Sequence, residues 1–116
     1  MTPVNLSAKL DQFSAHWSPK IVAGYNGNDV MVVKVLGEFN WHSHLDTDDF
    51  FLVLKGEIDI EMRDRTVTLG AGEMFVVSKG VEHRPVARQE AHLMIIEPSG
   101  TPNTGHPETA VVKDRI

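Results

Sequence analysis

The chain has 116 residues, a formal charge of −5 at pH 7 and no cysteine. This length suits one globular domain, and we expect residues 1–116 to form it. Acidic residues are spread along the chain without a basic stripe, which argues against nucleic acid and membrane surfaces as partners. No secretory leader or bilayer-length apolar run is present, so we expect a cytoplasmic protein. Without thiols, any metal site must use histidine and carboxylate ligands.

One short helix is predicted at the start of the chain. Leu6, Leu10 and Phe13 recur at spacings of four and three, which predicts an amphipathic helix over 5–13 with Asn5 as its cap. From residue 17 onward, short apolar stretches alternate with Gly, Asn and Asp, a pattern typical of strands and turns. The predicted strands are 21–25, 30–36, 50–54, 57–62, 66–69, 73–77, 83–87 and 92–96. Short strands at this density indicate an all-β sandwich or barrel.

The strand 50–54 is apolar on both of its faces. Phe50, Leu52 and Leu54 share one face, whereas Phe51 and Val53 share the other. One face fills the core, and the other needs a cover as well. Either the N-terminal segment or a second subunit supplies that cover, and we expect a homodimer packed sheet to sheet.

Two histidines stand at positions i and i+2 in the segment Trp41-His42-Ser43-His44. On a strand this spacing places both imidazoles on one face, close enough to bind the same ion. A pair of this kind arises by chance roughly 0.3 times in a chain with this histidine content, so the pair by itself is weak evidence.

Further residues at set spacings strengthen the pattern. A first motif consists of Gly37, His42, His44, Asp49 and Gly56, and a second consists of Gly72, Ser78-Lys79-Gly80, His83 and Ala87. With these two motifs the chain resembles the cupin superfamily, and in particular the small single-domain microbial members described as mannose-6-phosphate isomerase-like. The resemblance covers about residues 30–97.

The resemblance implies a fold, a cofactor and a set of ligands. The fold would be a cupin-type double-stranded β-helix, or jelly-roll barrel, here preceded by a short N-terminal helix. The cofactor would be one divalent transition metal, and Mn, Fe, Ni, Co, Cu or Zn all suit the donors. The ligands implied for it are His42, His44, Asp49 and His83.

Asp49 departs from the family pattern, which usually has Glu at this position. Its side chain is one methylene shorter, which withdraws the carboxylate by about 1.3 to 1.5 Å. Three arrangements are open: the backbone approaches and restores the bond, a water bridges Asp49 to the ion, or the ion rests on the three histidines alone. The neighbouring Asp48 should point to the opposite strand face and is a poor substitute.

Other candidate residues have plainer roles. His92 lies in an apolar strand pattern and is expected to be a structural histidine. Lys34 interrupts the strand 30–36, where it could reach the cavity as an acid or base or extend along the sheet edge into water. For Trp41 and Phe51 we expect the core first and the pocket lining second.

The resemblance leaves two classes of function open. The first is a metal-dependent enzyme acting on a small molecule, of the oxygenase or the isomerase and epimerase type. The second is a non-catalytic module that binds or senses a small ligand. An enzyme needs an acid or base beside the open metal position, whereas a sensor needs only groups that complement its ligand.

Overall fold

The computed structural model describes residues 1–116 and contains one helix, α1, and eight strands, β1 to β8. The elements are α1 Leu6–Leu10, β1 Lys20–Tyr25, β2 Asn28–Glu38, β3 Asp49–Lys55, β4 Glu57–Met62, β5 Thr66–Gly70, β6 Met74–Val77, β7 His83–Pro98 and β8 Asp114–Arg115. The all-β jelly-roll class predicted from the sequence is confirmed. No helix of the structure has the length and apolar character that crossing a membrane requires.

The helix is shorter than predicted. Asn5 caps it as expected, since its side-chain oxygen accepts a hydrogen bond of 2.9 Å from the backbone N–H of Ala8. The helix nevertheless ends at Leu10, and a turn follows in which the backbone N–H of Gln12 donates a hydrogen bond of 3.1 Å to the carbonyl of Lys9. Leu10 and Phe13 still pack in one cluster, so the predicted apolar face exists without three turns of helix.

β7 is one long strand where the sequence predicted two. Arg88, Gln89 and Glu90 are exposed and interrupt the apolar alternation, which suggested a turn between 83–87 and 92–96. In the structure this stretch stays in the strand, and β2 pairs with β7 on both sides of it through a shift of register between Val35 and Gly37. A β-bulge therefore replaces the predicted turn.

The long strand β7 closes the barrel because one of its edges pairs with two different strands in turn. β2 pairs along one edge of β7. The other edge pairs with β4 over 83–86 and with β3 over 92–96. Because β3 also pairs with β6, and β4 with β5, the single strand β7 joins the two halves of the molecule.

Alternating side chains fill the space between these strands. Met31, Val33 and Val35 of β2 point inward with Phe51 and Val53 of β3, within a core cluster of 14 buried residues. The same alternation continues into buried polar groups at the starts of β3 and β7, where Asp49 and His83 lie, and near the end of β7, where Glu97 lies. The buried polar groups thus include one cluster at this end of the barrel, next to the apolar core.

The outer face of the sheet is covered over only part of its area. Leu10 of α1 packs there with Val22 and Val32, and Leu54 joins the same cluster. Farther along the sheet the strand pairings align Met74 with Leu52 and Val76 with Phe50. Met74 and Val76 are 53% and 43% exposed. The sequence predicted that the second apolar face of β3 needs a cover. The N-terminal segment covers one part of this outer face and leaves another part exposed.

Gly56, in the turn between β3 and β4, offers a test of the packing against β7. Its φ is +85°, and a Cβ there would lie 3.2 Å from atoms of Ala91 and Glu90. Gly72 has the same φ of +85° but nothing within 4 Å of the corresponding position. Gly72→Ala should lower the free energy of unfolding by about 1 to 2 kcal/mol through backbone strain. Gly56→Ala should lower it by about 1 to 3 kcal/mol more, because β7 must also shift. Urea unfolding measures both, and equal losses would contradict the close approach.

Candidate metal centre

Three buried histidines come from two parts of the chain. His42 and His44 lie between β2 and β3, and His83 begins β7. The segment carrying His42 is irregular instead of a regular strand, but His42 and His83 form an isolated bridge with backbone hydrogen bonds of 3.0 and 2.9 Å. This bridge places the two imidazoles side by side, with ring centroids 4.5 Å apart.

The carboxylate of Asp49 lies among the three imidazoles. Its Oδ2 atom is 2.8 Å from Nε2 of His83, 3.3 Å from Nε2 of His44 and 3.7 Å from Nε2 of His42. The shorter side chain therefore reaches the histidine nitrogens directly, because β3 begins at this residue and faces it inward. Direct coordination of an ion by Asp49 stays a prediction.

Backbone carbonyls fix the orientation of two of the rings. Nδ1 of His42 lies 2.9 Å from the carbonyl oxygen of Asn40, and Nδ1 of His83 lies 2.9 Å from that of Val81. A carbonyl can only accept, so each Nδ1 carries the hydrogen. In the neutral ring Nε2 then has a lone pair, and this lone pair faces the lone pairs of Asp49. Such an arrangement needs a proton or a metal cation between the two atoms, and a carbonyl bonded to Nδ1 is the usual support of a metal-bound histidine.

A different observation makes His44 a candidate ligand of the same ion. Its Nε2 atom is buried and has no hydrogen-bond partner. The contact of 3.3 Å to Asp49 is close, but it is not aligned as a hydrogen bond. An unpartnered buried nitrogen is costly unless a ligand or ion meets it.

The charges in the site act strongly on one another. Burial by itself would raise the pKa of the Asp49 carboxyl, but the surrounding imidazoles of His42, His44 and His83 hold it well below its usual range. Burial would lower the pKa of His44, and the negative charges of Asp49 and Glu97 outweigh it and raise that pKa. The site therefore attracts positive charge.

Glu97 belongs to this site and was missed in the sequence. It is 3% exposed, and Lys113 donates a hydrogen bond of 2.9 Å to its Oε2. Burial raises the pKa of the Glu97 carboxyl. The available signal was the alternation of Leu93, Ile95 and Glu97, which places all three on the inner face of β7.

The ligand-capable atoms form two overlapping groups. Those of His42, Asp49 and His83 lie within 4.8 Å of one another, and so do those of His44, Asp49 and Glu97. Asp49 is the member common to both. The four predicted residues are thus brought together, and Glu97 joins them.

A cavity opens beside these groups. It is open to solvent on one side, and its lining is mainly apolar. The apolar side chains that line it include Trp17, Val33, Phe39, Phe51, Leu93 and Ile95. The polar groups on its wall include His42, Asp49, Glu97 and Asn103.

An aromatic pair connects the cavity wall to the histidines. Trp17 stacks on Phe39 with ring centroids 4.9 Å apart, and Phe39 meets His42 edge to face at 5.2 Å. Trp17 has a φ of 57°, in the left-handed region that a bulky residue rarely adopts. Hydrogen bonds to the carbonyls of Lys34 and Leu36 hold it there. Backbone strain of this kind is often found where a structure positions a functional side chain.

Phe51 and His92 agree with the sequence predictions. Phe51 is buried in the core cluster, lines the cavity and contacts His83 edge to face. His92 lies outside the site, where its Nε2 is 3.1 Å from Glu90.

Asp48, Lys34 and Trp41 also lie outside the site. Asp48 accepts a hydrogen bond from the backbone N–H of Lys79, and the Lys34 ammonium group donates to a backbone carbonyl instead of entering the cavity. The prediction of a core position for Trp41 is wrong. Its ring is only half-buried and lies 3.8 Å beneath the Arg63 guanidinium, which stabilises it outside the barrel by a cation–π contact.

Comparison with known proteins agrees with the fold. A family model described as a cupin domain matches residues 29–99, more than half of the chain. The chain belongs to the cupin family. This cupin is 49% identical to a cupin-2 domain containing protein from Shewanella frigidimarina NCIMB 400, whose crystal structure superposes with a TM-score of 0.81. The match covers 82% of this chain and 93% of that one.

Two further proteins are similar to this chain to different degrees. The uncharacterized protein YdbB of Bacillus subtilis (strain 168) is 32% identical over 87 residues, which are 66% of this chain and 77% of YdbB. Hydroquinone 1,2-dioxygenase from Sphingomonas sp. TTNP3, solved with 4-hydroxybenzoate bound, is 19% identical with a TM-score of 0.73. That match covers 85% of this cupin and 32% of the dioxygenase chain. At this identity the likeness shows the fold alone.

The contribution of His83 to metal binding can be compared with that of His92. His83→Ala should lower the affinity for Zn²⁺ or Mn²⁺ by more than about 100-fold, because even residues that only support ligands contribute 10 to 100-fold. His92→Ala should leave it within about twofold, since the side chain lies outside the site. Isothermal titration calorimetry measures both constants. Equal losses in the two variants would contradict this placement of the site.

Proposed function

We propose that this cupin is a cytoplasmic enzyme of one domain, residues 1–116, that uses a divalent transition metal to act on an apolar small molecule. His42, His44, Asp49 and His83 would hold the ion. The observation that carries the proposal is the convergence of three buried Nε2 atoms, those of His83, His44 and His42, on Oδ2 of Asp49 at 2.8, 3.3 and 3.7 Å. A cation bound by these atoms would neutralise the buried carboxylate and accept the Nε2 lone pairs of the two rings whose Nδ1 carries the hydrogen.

The donor set limits the choice of metal but does not identify one metal. Three imidazoles and a carboxylate suit Mn, Fe, Co, Ni, Cu and Zn. Four protein ligands leave positions on a five- or six-coordinate ion for substrate or dioxygen, and an ion with open positions acts as a Lewis acid or as a redox centre.

The lining of the cavity favours an oxygenase over a sugar isomerase. A sugar brings several hydroxyl groups, and burying each one without a partner costs about 1 to 3 kcal/mol. The wall beside the ligands is formed largely by aromatic and aliphatic side chains, including Trp17, Phe39 and Phe51. An aromatic or aliphatic substrate with one or two polar groups directed at the ion suits this surface. The fold shared with a hydroquinone dioxygenase is compatible with such a substrate.

A second candidate function is non-catalytic binding of a small ligand. The observation in its favour is the ion pair of Glu97 with Lys113, at 2.9 Å. Glu97 is the acid that joins the predicted ligands, and the Lys113 ammonium group occupies one of its oxygens, so the carboxylate has a structural partner in place of a substrate. Reaction with dioxygen or isomerisation by proton transfer would separate the two functions, since a binding module performs neither.

Metal content and oxygen consumption test the first candidate. Protein purified without chelator or a nickel column should contain about one transition metal per chain, as a single ligand cluster requires. Addition of phenols should give oxygen uptake at an electrode, sugar phosphates should not, and His42→Ala should lower both metal content and uptake. A native protein that neither contains metal nor binds it after reconstitution would refute the proposal. Metal binding without turnover would favour the binding module.

The open part of the outer face supports a homodimer. Val76, Phe50 and Ile96 align across β6, β3 and β7, as do Met74, Leu52 and Met94. These rows form a continuous apolar strip, and a second copy of the chain would cover it sheet to sheet.

Light scattering tests this assembly. The native protein should have twice the mass of one chain at micromolar concentration. Val76→Lys should give the mass of a single chain, because burying an unpaired ammonium group is costly. Val112→Lys, which changes an exposed side chain in the C-terminal segment outside the strands, should leave the dimer intact. A native monomer would refute the assembly.

A further inference from the structure

We infer that Glu97 is an additional ligand of the ion, so that two carboxylates from neighbouring strands, Asp49 and Glu97, face one metal. This inference rests on the proposed metal binding. It assigns a donor that lies in neither of the two sequence motifs.

The sheet places the two carboxylates side by side. β3 and β7 are antiparallel neighbours, and Phe50 pairs with Ile96. Asp49 and Glu97 therefore follow one another across the two strands on the inner face. Their ligand atoms and that of His44 lie within 4.8 Å of one another, and all three residues are buried. His42 and His83 form their own group with Asp49, and Glu97 is not part of it, so the Glu97 side chain would have to move toward the ion that those histidines hold.

One carboxylate oxygen of Glu97 accepts a hydrogen bond and the other does not. Oε2 accepts the hydrogen bond from Lys113, whereas Oε1 accepts none. The residue lines the cavity beside Asp49. One carboxylate can hold a lysine with one oxygen and a metal with the other, since each oxygen carries its own lone pairs.

The charges favour a cation at this position. Asp49 and Glu97 are 4% and 3% exposed, and Lys113 is the one lysine paired with either of them. A single ammonium group offsets one of the two negative charges. A divalent ion between the carboxylates lowers the Coulomb energy of both in surroundings where water screens little.

The alternative role of Glu97 is purely structural. Lys113 lies in the C-terminal segment and also donates to the carbonyl of Thr101. In that case Glu97 would anchor the segment and take no part in metal binding. Replacing Glu97 alone would leave the Lys113 ammonium group without an opposing charge, so that variant does not by itself separate the two roles.

A set of four variants makes the distinction. Glu97→Gln removes the carboxylate, Lys113→Met removes the ammonium group, and the double variant removes both without leaving an unpaired charge. Asp59→Asn is the matched control, because Asp59 is also buried and pairs with Arg88 at 3.0 Å, but stands outside the ligand cluster. Calorimetry with Zn²⁺ gives the affinities, thermal unfolding of the metal-free proteins gives stability, and the absorption of the Co²⁺ forms reports on the ligands.

If Glu97 binds the ion, both Glu97→Gln and the double variant lose at least about 10-fold in affinity and change the Co²⁺ spectrum. Lys113→Met keeps or gains affinity, and Asp59→Asn keeps both affinity and spectrum. A double variant with native affinity and a native Co²⁺ spectrum would overturn the inference while leaving the proposed function intact. An equal loss of affinity in Lys113→Met would overturn it too, since the ion pair would then matter and not the carboxylate. Failure of the native chain to bind any ion would overturn both proposals.

Discussion

The burial of Asp49 among three imidazoles is the constraint on which the site depends. A carboxylate inside a barrel is stable only where hydrogen-bond donors or cations surround it. His42 and His83 are each oriented by the carbonyl of the residue two positions earlier, so their Nε2 atoms are set by local backbone geometry. The barrel then needs only to bring three short stretches of chain together. The lone pairs of the imidazole nitrogens and of the Asp49 carboxylate then converge in one space, and this space favours a cation over a neutral group.

The strand β7 is what brings those stretches together. It carries His83 at its start and Glu97 near its end, and its far edge changes partner from β4 to β3 between them. Asp49 is the first residue of β3 and faces the interior beside Glu97. The same alternation that packs Leu93 and Ile95 into the core continues into the polar site without a break. Packing of the core and positioning of the ligands are therefore one arrangement of a single strand.

The sequence predicted most of the fold because its turns and alternation are local. Strands near β3, β4 and β6 follow the apolar pattern closely, and the four residues that the family resemblance implies as ligands lie close to one another. What it could not predict depends on partners distant in the chain. Trp41 lies outside the barrel because Arg63 stacks on it, and the exposed stretch around Gln89 stays in β7 because β2 pairs on both sides of it. Glu97 was overlooked because its role depends on the neighbouring strand that carries Asp49.

The wide separation of the ligands along the chain determines when an ion can be captured. Asp49 and His83 are 34 positions apart, and they meet only after β7 has paired with the strands on both of its edges. An unfolded or newly made chain offers little more than the His42 and His44 pair, which is a weak chelate. Metal would therefore enter a barrel that is already closed, and the finished cavity, not the order of synthesis, would select it.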